Sequence, residues 1–209
     1  MRRLVVIEFL TVDGVMQGLG SPEEDTDGGF THGGWGRPYA AAVHEAVDAG
    51  GPDRTSAYLF GRRTYEKMAA YWPYQPDDVP MARRLNQAPK YVATRTLTRL
   101  DWAGAHVLDG ELGAAVGRLK ADGEGDLAVL GSGALVHQLM LLDLVDELRL
   151  FVHPLLLGTG KRLFRDLPRP RRLRLTAAGT TSLGTLVLGY EVSGQPVGPA
   201  GAEAETATR

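Results

Sequence analysis

LFGRRTYEKM, residues 59–68, runs an apolar strand end through one glycine and two arginines into a helix. A helix N-terminus carries the positive end of the backbone dipole, so cations there are disfavoured unless an anion joins them. Two readings fit the stretch. Gly61 closes a turn beside solvated arginines, or Gly61 lets the first N–H groups of the helix face a phosphate while Arg62, Arg63 and Thr64 add side-chain contacts.

Working outward, the residues before it, SAYLF (56–60), form a strand, as do RLVVIEFL (3–10), KYVAT (90–94), AHVL (105–108) and DLAVL (126–130). Helical spacing occurs from Pro38 to about Asp48, where Tyr39, Val43, Ala46 and Val47 share a face and GGPDRT supplies the stop. It recurs over Glu111–Ala121 and Ala134–Leu142. Gly18–Gly36 is a long Gly-rich acidic loop, and the prolines of Trp72–Pro80 mark a second loop. DELRLFVHP holds a strand ended by Pro154, and RRLRLTA and GTLVLGYEV form a closing antiparallel pair. The alternation of strands and helices predicts an α/β domain over 1–192 with a mixed sheet, followed by a disordered tail over 193–209.

Two further strand ends resemble the first in chemistry. VATRTL places the Thr94 hydroxyl and the Arg95 guanidinium just past a strand, either as a phosphate grip or as an ordinary polar strand end. LAVLGSGALVHQLM sets Gly131, Ser132 and Gly133 between a strand and a helix, so that backbone amides can face a pyrophosphate. Val136 stands where the Rossmann fingerprint needs its third glycine, and LLLGTGKRLF lacks the first glycine and the Ser/Thr of a P-loop. Taken together, the three turns predict a dinucleotide carrying an extra phosphate, because a 2′-phosphate needs cations where an NAD ribose wants an acid.

The whole chain sets outer bounds. Its 209 residues suffice for one domain with a sizeable core, and 44% hydrophobic with 23% charged content is ordinary for a globular protein. A formal net charge of −2 argues against nucleic-acid binding through a basic field. There are no cysteines, which removes disulfides, thiolate nucleophiles and Cys-ligated metals. No apolar run is long enough to span a membrane, and Glu8 interrupts the apolar stretch that superficially suggests a signal peptide. The expectation is a cytoplasmic protein with a small-molecule substrate and no bound metal.

TVDGVMQG, LFGRRTYEKM, KYVATRTL and LAVLGSGALVHQLM, followed by LVDELRLFVHPLLLGTGKRLF, occur in an order that resembles the dihydrofolate reductase-like superfamily. The resemblance is nearest to its branch related to the reductase domain of bacterial riboflavin biosynthesis, and it covers residues 2 to 192. It implies a three-layer α/β/α domain with a central, mostly parallel sheet of about eight strands and antiparallel C-terminal strands. It further implies NADPH as hydride donor and a homodimer. Carried over by motif, Gly61, Arg62, Arg63 and Thr64 match the first phosphate turn and Thr94 and Arg95 the adenosine-phosphate contact. Gly131, Ser132, Gly133, Ala134 and Leu135 match the second glycine turn, while Val12, Asp13, Gly14 and Val15 match the loop near the nicotinamide ribose.

No carboxylate matches the helix acid with which dihydrofolate reductases protonate the pterin. Asp13 and Glu45 are the catalytic candidates, each with an alternative reading as a turn residue and a solvated helix residue. Tyr39, Tyr65 and Trp72 are candidates to stack a flat substrate, or to pack a lid or a dimer contact. The expected activity is an NADPH-dependent reductase acting on a pterin- or pyrimidine-like heterocycle. The alternative is a non-catalytic module that binds a nucleotide or pterin.

Overall fold

In the computed structural model, residues 1–49 and 54–196 are described. Eight strands form one sheet in the order β4-β3-β2-β5-β1-β6-β8-β7. They are β1 (Arg3–Thr11), β2 (Thr55–Gly61), β3 (Lys90–Ala93), β4 (Ala105–Val107), β5 (Asp126–Val129), β6 (Glu147–His153), β7 (Arg171–Thr180) and β8 (Leu186–Pro196). The six from β4 to β6 pair in parallel, and β8 and β7 add antiparallel. The mixed, mostly parallel sheet expected from the sequence is present.

Among the described residues five α-helices accompany the strands: α1 (Ala40–Ala49), α2 (Arg62–Tyr71), α3 (Pro80–Gln87), α4 (Leu112–Ala121) and α5 (Gly133–Leu141). Because side chains alternate across a strand, Leu4, Val6, Leu59, Leu127 and Val129 face one layer, packed on Val116 of α4 and Leu135, Val136 and Leu139 of α5. Tyr58, Phe60, Val92 and Ala128 face the other, packed on Tyr65 of α2 and Leu85 of α3. This is the three-layer arrangement, with the central strands buried on both faces as parallel sheets require.

Three expectations change. Trp72–Pro80 is not all loop: Trp72–Tyr74 is a 3-10 turn and Pro80 is the first residue of α3, a position where its missing N–H costs nothing. On α1 the buried pair is Ala42 and Val43, whereas Val47 is exposed. At the C-terminus, β8 continues to Pro196, where Arg171 on β7 still pairs with it, so residues 193–196 of the expected disordered tail lie in a strand. Residues 50–53 of the GGPDRT stop and the tail from 197 lie outside the described residues.

The Gly18–Gly36 loop has a small core of its own, Val15, Phe30 and Trp35. Gln17 ties it down: its side-chain amide donates to the Asp25 and Asp27 backbone carbonyls at 3.0 Å each, and its backbone carbonyl accepts from Trp35 Nε1 at 2.7 Å. Gly18 adopts φ +69°, and a Cβ there would stand 3.0 Å from the Phe30 ring. Among the described residues no helix is long and apolar enough to cross a membrane.

Candidate functional site

A cleft of about 2500 Å³ runs across the sheet and reaches the carboxyl ends of the parallel strands, the place where open α/β sheets bind ligands. It exceeds the roughly 300–1,000 Å³ that one drug-sized ligand fills. All three predicted turns reach it: Gly61 to Thr64, Thr94 with Arg95, and Gly131 to Leu135 line its wall. Strand order explains the convergence, since β5 lies between β1 and β2 and carries its turn alongside that of β2.

The first and third turns are in direct contact. A Cβ on Gly61 would lie 2.5 Å from Ser132 Oγ, and one on Gly133 would lie 2.6 Å from Met16 Sδ. Only glycine permits that approach. The Gly131–Ser132 peptide is cis, and Gly131 has φ +72°. Neither α2 nor α5 has a side-chain cap or an acid in its first turn. In α4, by contrast, the Glu111 carboxylate accepts from the Ala114 N–H. Two neighbouring helix starts therefore lie uncapped by any side chain on one cleft, an arrangement with the chemistry to hold an anion.

The cations are arranged differently from the sequence picture. Arg62 bonds Glu66 one turn along, at 3.0 Å. Arg63 pairs with Asp27 of the Gly-rich loop. Lys161 bridges Asp25 and Asp27 at 2.7 and 2.8 Å, and these bonds, the Lys161 one first, hold the Asp27 carboxyl down at about 2. The Thr94 hydroxyl accepts from the N–H groups of Thr96 and Leu97, both at 3.1 Å, and so shapes its own turn, leaving Arg95 exposed beside it.

Residues predicted for the nicotinamide loop and for catalysis do not join the cleft wall. Val12 is exposed, and Gly14 serves the turn by donating to Thr11 O at 2.8 Å. The Asp13 carboxylate accepts from Thr11 Oγ1 at 2.6 Å, Gly158 N at 2.9 Å and Leu157 N at 3.2 Å. The Thr11 bond above all depresses it to about 2. A carboxylate so held is a brace between two loops, the reverse of a proton donor. Glu45 is exposed on α1.

The aromatic wall also differs from expectation. Tyr65 lies in the core, its hydroxyl accepting from Trp102 N at 3.2 Å. Trp72 reaches the cleft edge. Tyr39 packs on His153, with ring centroids 4.7 Å apart. Among the rings that line the cleft are Phe9 and Phe151, stacked at 4.8 Å from adjacent strands, and His153. His153 Nδ1 pairs with Thr185 Oγ1 at 2.9 Å while Nε2 is buried without a partner, and burial lowers this imidazole to about 4, so it is neutral at pH 7.

Glu8 was missed as a site residue. It lines the cleft from the middle of β1, is 5% exposed, and its Oε1 is buried with no hydrogen-bond partner. The available signal was a lone acid inside RLVVIEFL.

A family model described as the RibD C-terminal domain matches residues 2–188. Among curated proteins, the chain is 27% identical over 200 residues to "Uncharacterized protein YyaP" of Bacillus subtilis (strain 168), covering 92% of this chain and 96% of that one. It is 29% identical over 129 residues to "Uncharacterized protein YwjB" of the same organism, covering 62% and 68%. Among crystal structures, it is similar to a "Putative riboflavin biosynthesis protein" from Shewanella sp. PV-4, with TM-score 0.63, 18% identity and coverage of 91% and 99%. It is also similar to a pyrimidine reductase-like protein from Corynebacterium diphtheriae, with TM-score 0.58, 14% identity and coverage of 93% of each chain. At these identities the structural likeness shows the fold, which is dihydrofolate reductase-like.

Proposed function

The chain belongs to the RibD C-terminal domain family, and from that premise we propose that it is an NADPH-dependent reductase of a small pterin- or pyrimidine-like heterocycle. The observation that carries this reading is the contact of Gly61 with Ser132, which sets two uncapped helix starts side by side on one cleft.

The residues fit a dinucleotide. The N–H groups of α2 and α5 would hold the pyrophosphate, and Thr64 and Ser132 lie at the same place. Arg63 and Arg95 would hold the 2′-phosphate, with Arg63 exchanging Asp27 for it. When bound, the nicotinamide supplies the hydride. Phe9 and Phe151 offer a flat apolar surface for an acceptor ring. A homodimer accompanies this reading: β7 is the sheet edge, exposed along its length, with Leu173 and Leu175 uncovered.

One observation favours the second reading, a binding module without turnover. Neither carboxylate predicted for catalysis is placed to protonate a substrate in the cleft.

Titration with NADPH and NADH, followed by nicotinamide fluorescence, tests the cofactor. Wild type should prefer NADPH, and Arg63→Ala with Arg95→Ala should remove most of that preference. Equal weakening of both nucleotides would remove the 2′-phosphate role. NADPH oxidation with a panel of pterins, pyrimidines and flavin precursors then separates a reductase from a binding module.

A further inference from the structure

We propose that Glu8 makes the dinucleotide site proton-linked, so that an anionic dinucleotide seats between the two helix starts only while the Glu8 carboxyl is protonated. This rests on the dinucleotide reading above.

Glu8 shares the strand parity of Leu4, Val6 and Leu10, which face the α4–α5 layer. Opposite it on β6 is Leu150. Its Oε1 lies 3.8 Å from the point where a Cβ of Gly131 would stand, and Thr64 Oγ1 lies 3.3 Å from that point. The carboxyl thus sits under the turn that opens α5 and beside the first turn of α2. These are the groups that would hold the pyrophosphate.

The surroundings decide its charge. Burial raises the Glu8 carboxyl to about 8, the Gly131 N–H pulls the other way, and no charged side chain contributes among the described residues. Leu150 faces it from β6, the Gly131 backbone from the β5–α5 turn and Thr64 from α2, none of them charged. Of the cations of α2, Arg62 and Arg63 are committed to Glu66 and Asp27, Lys67 is exposed one turn further along, and none of the three contributes to the Glu8 carboxyl. Without an anion, the Gly131 N–H at the start of α5 supplies the favourable field near an ionised Glu8. A bound pyrophosphate takes that field for itself and adds negative charge in the same dry space. The neutral carboxyl does not repel it and can donate a hydrogen bond.

The sign follows. Below about pH 8 Glu8 already carries its proton and binding has no extra cost. Above that value the site must take a proton from solvent, and affinity falls by up to about tenfold per pH unit.

NADPH titrations from about pH 6.5 to about pH 9.5 on wild type and Glu8→Gln test this, together with carboxyl 13C NMR of glutamate-labelled wild type. The dissociation constant of wild type should rise at least about tenfold over the upper two pH units while that of Glu8→Gln stays flat. One glutamate resonance should titrate far above the others and move higher still with NADPH. Binding with the same pH profile in both proteins overturns the inference alone, as does a set of glutamate resonances that all titrate in the ordinary carboxylate range. Absence of NADPH binding at every pH overturns the dinucleotide reading and the inference with it. The NMR measurement needs no variant to fold.

Discussion

The Arg63 guanidinium pairs with the Asp27 carboxylate, 36 residues earlier in the chain, at the wall of the cleft. Asp27 also accepts from Lys161 at 2.8 Å, so one acid of the Gly-rich loop connects the α2 start with the loop that follows β6. A ligand phosphate and Asp27 cannot both take the same guanidinium face. Asp27→Asn should therefore raise NADPH affinity several-fold and leave NADH nearly unchanged, measured by nicotinamide fluorescence. Equal gains for both nucleotides, or none, would show that Arg63 does not read the 2′-phosphate.

Glu8 should leave a mark on stability. Its carboxyl is raised from 4.5 to about 8 on folding, so between those values the unfolded chain has lost a proton that the folded chain keeps. The Glu8 contribution to stability is therefore fully present below about pH 4.5, falls with rising pH at about 1.4 kcal/mol per unit, and levels off above about pH 8. Urea unfolding of wild type and Glu8→Gln should give a stability difference that widens over this window. A difference constant with pH would place the wild-type carboxyl in an ordinary environment.

Asp13 has the opposite sign. Its carboxyl is depressed from 3.8 to about 2, chiefly by Thr11, so its stabilisation is present above about pH 4 and is lost as pH falls toward 2. Asp13→Asn should lower Tm by roughly 3 °C or more at pH 7, and the gap should close in acid. A thermal scan with no gap at neutral pH would mean that the loop after β6 does not need this brace.

At the far edge of the sheet, Leu173 and Leu175 are 37% and 53% exposed on β7. If a second copy covers them, light scattering should give the dimer mass for wild type and the monomer mass for Leu173→Glu with Leu175→Glu. A wild-type monomer at all concentrations would count against this face.

Much of this molecule was legible in one dimension because its elements obey local rules. β2 running through Gly61 into α2 showed as an apolar run, a glycine and helical spacing, and β5 running through Gly131–Gly133 into α5 showed the same way. The terminal hairpin was visible in its alternation. α3 was not, because it has only two buried residues, Ala82 and Leu85, and Pro80 read as a loop breaker when it is the first helical residue. Tyr65 looked like a ring for stacking because its face on α2 is set by β2 and Trp102, which are distant in sequence. Lys90 would pass for a surface cation, yet it is fully buried and donates to Leu85, Asn86 and Ala88 carbonyls at the end of α3.

By itself the sequence determined the strand–turn–helix units and the phosphate-friendly chemistry at their ends, because propensity, glycine placement and hydrophobic period act over a few residues. Only the tertiary structure decided that β5 inserts between β1 and β2. That insertion brings Gly61 against Ser132, and Glu8 beneath Gly131. Those contacts span from 71 to 123 positions of chain, and no local pattern encodes a contact at that range. It is set by which apolar faces bury one another, and that choice exists only once the whole sheet has closed.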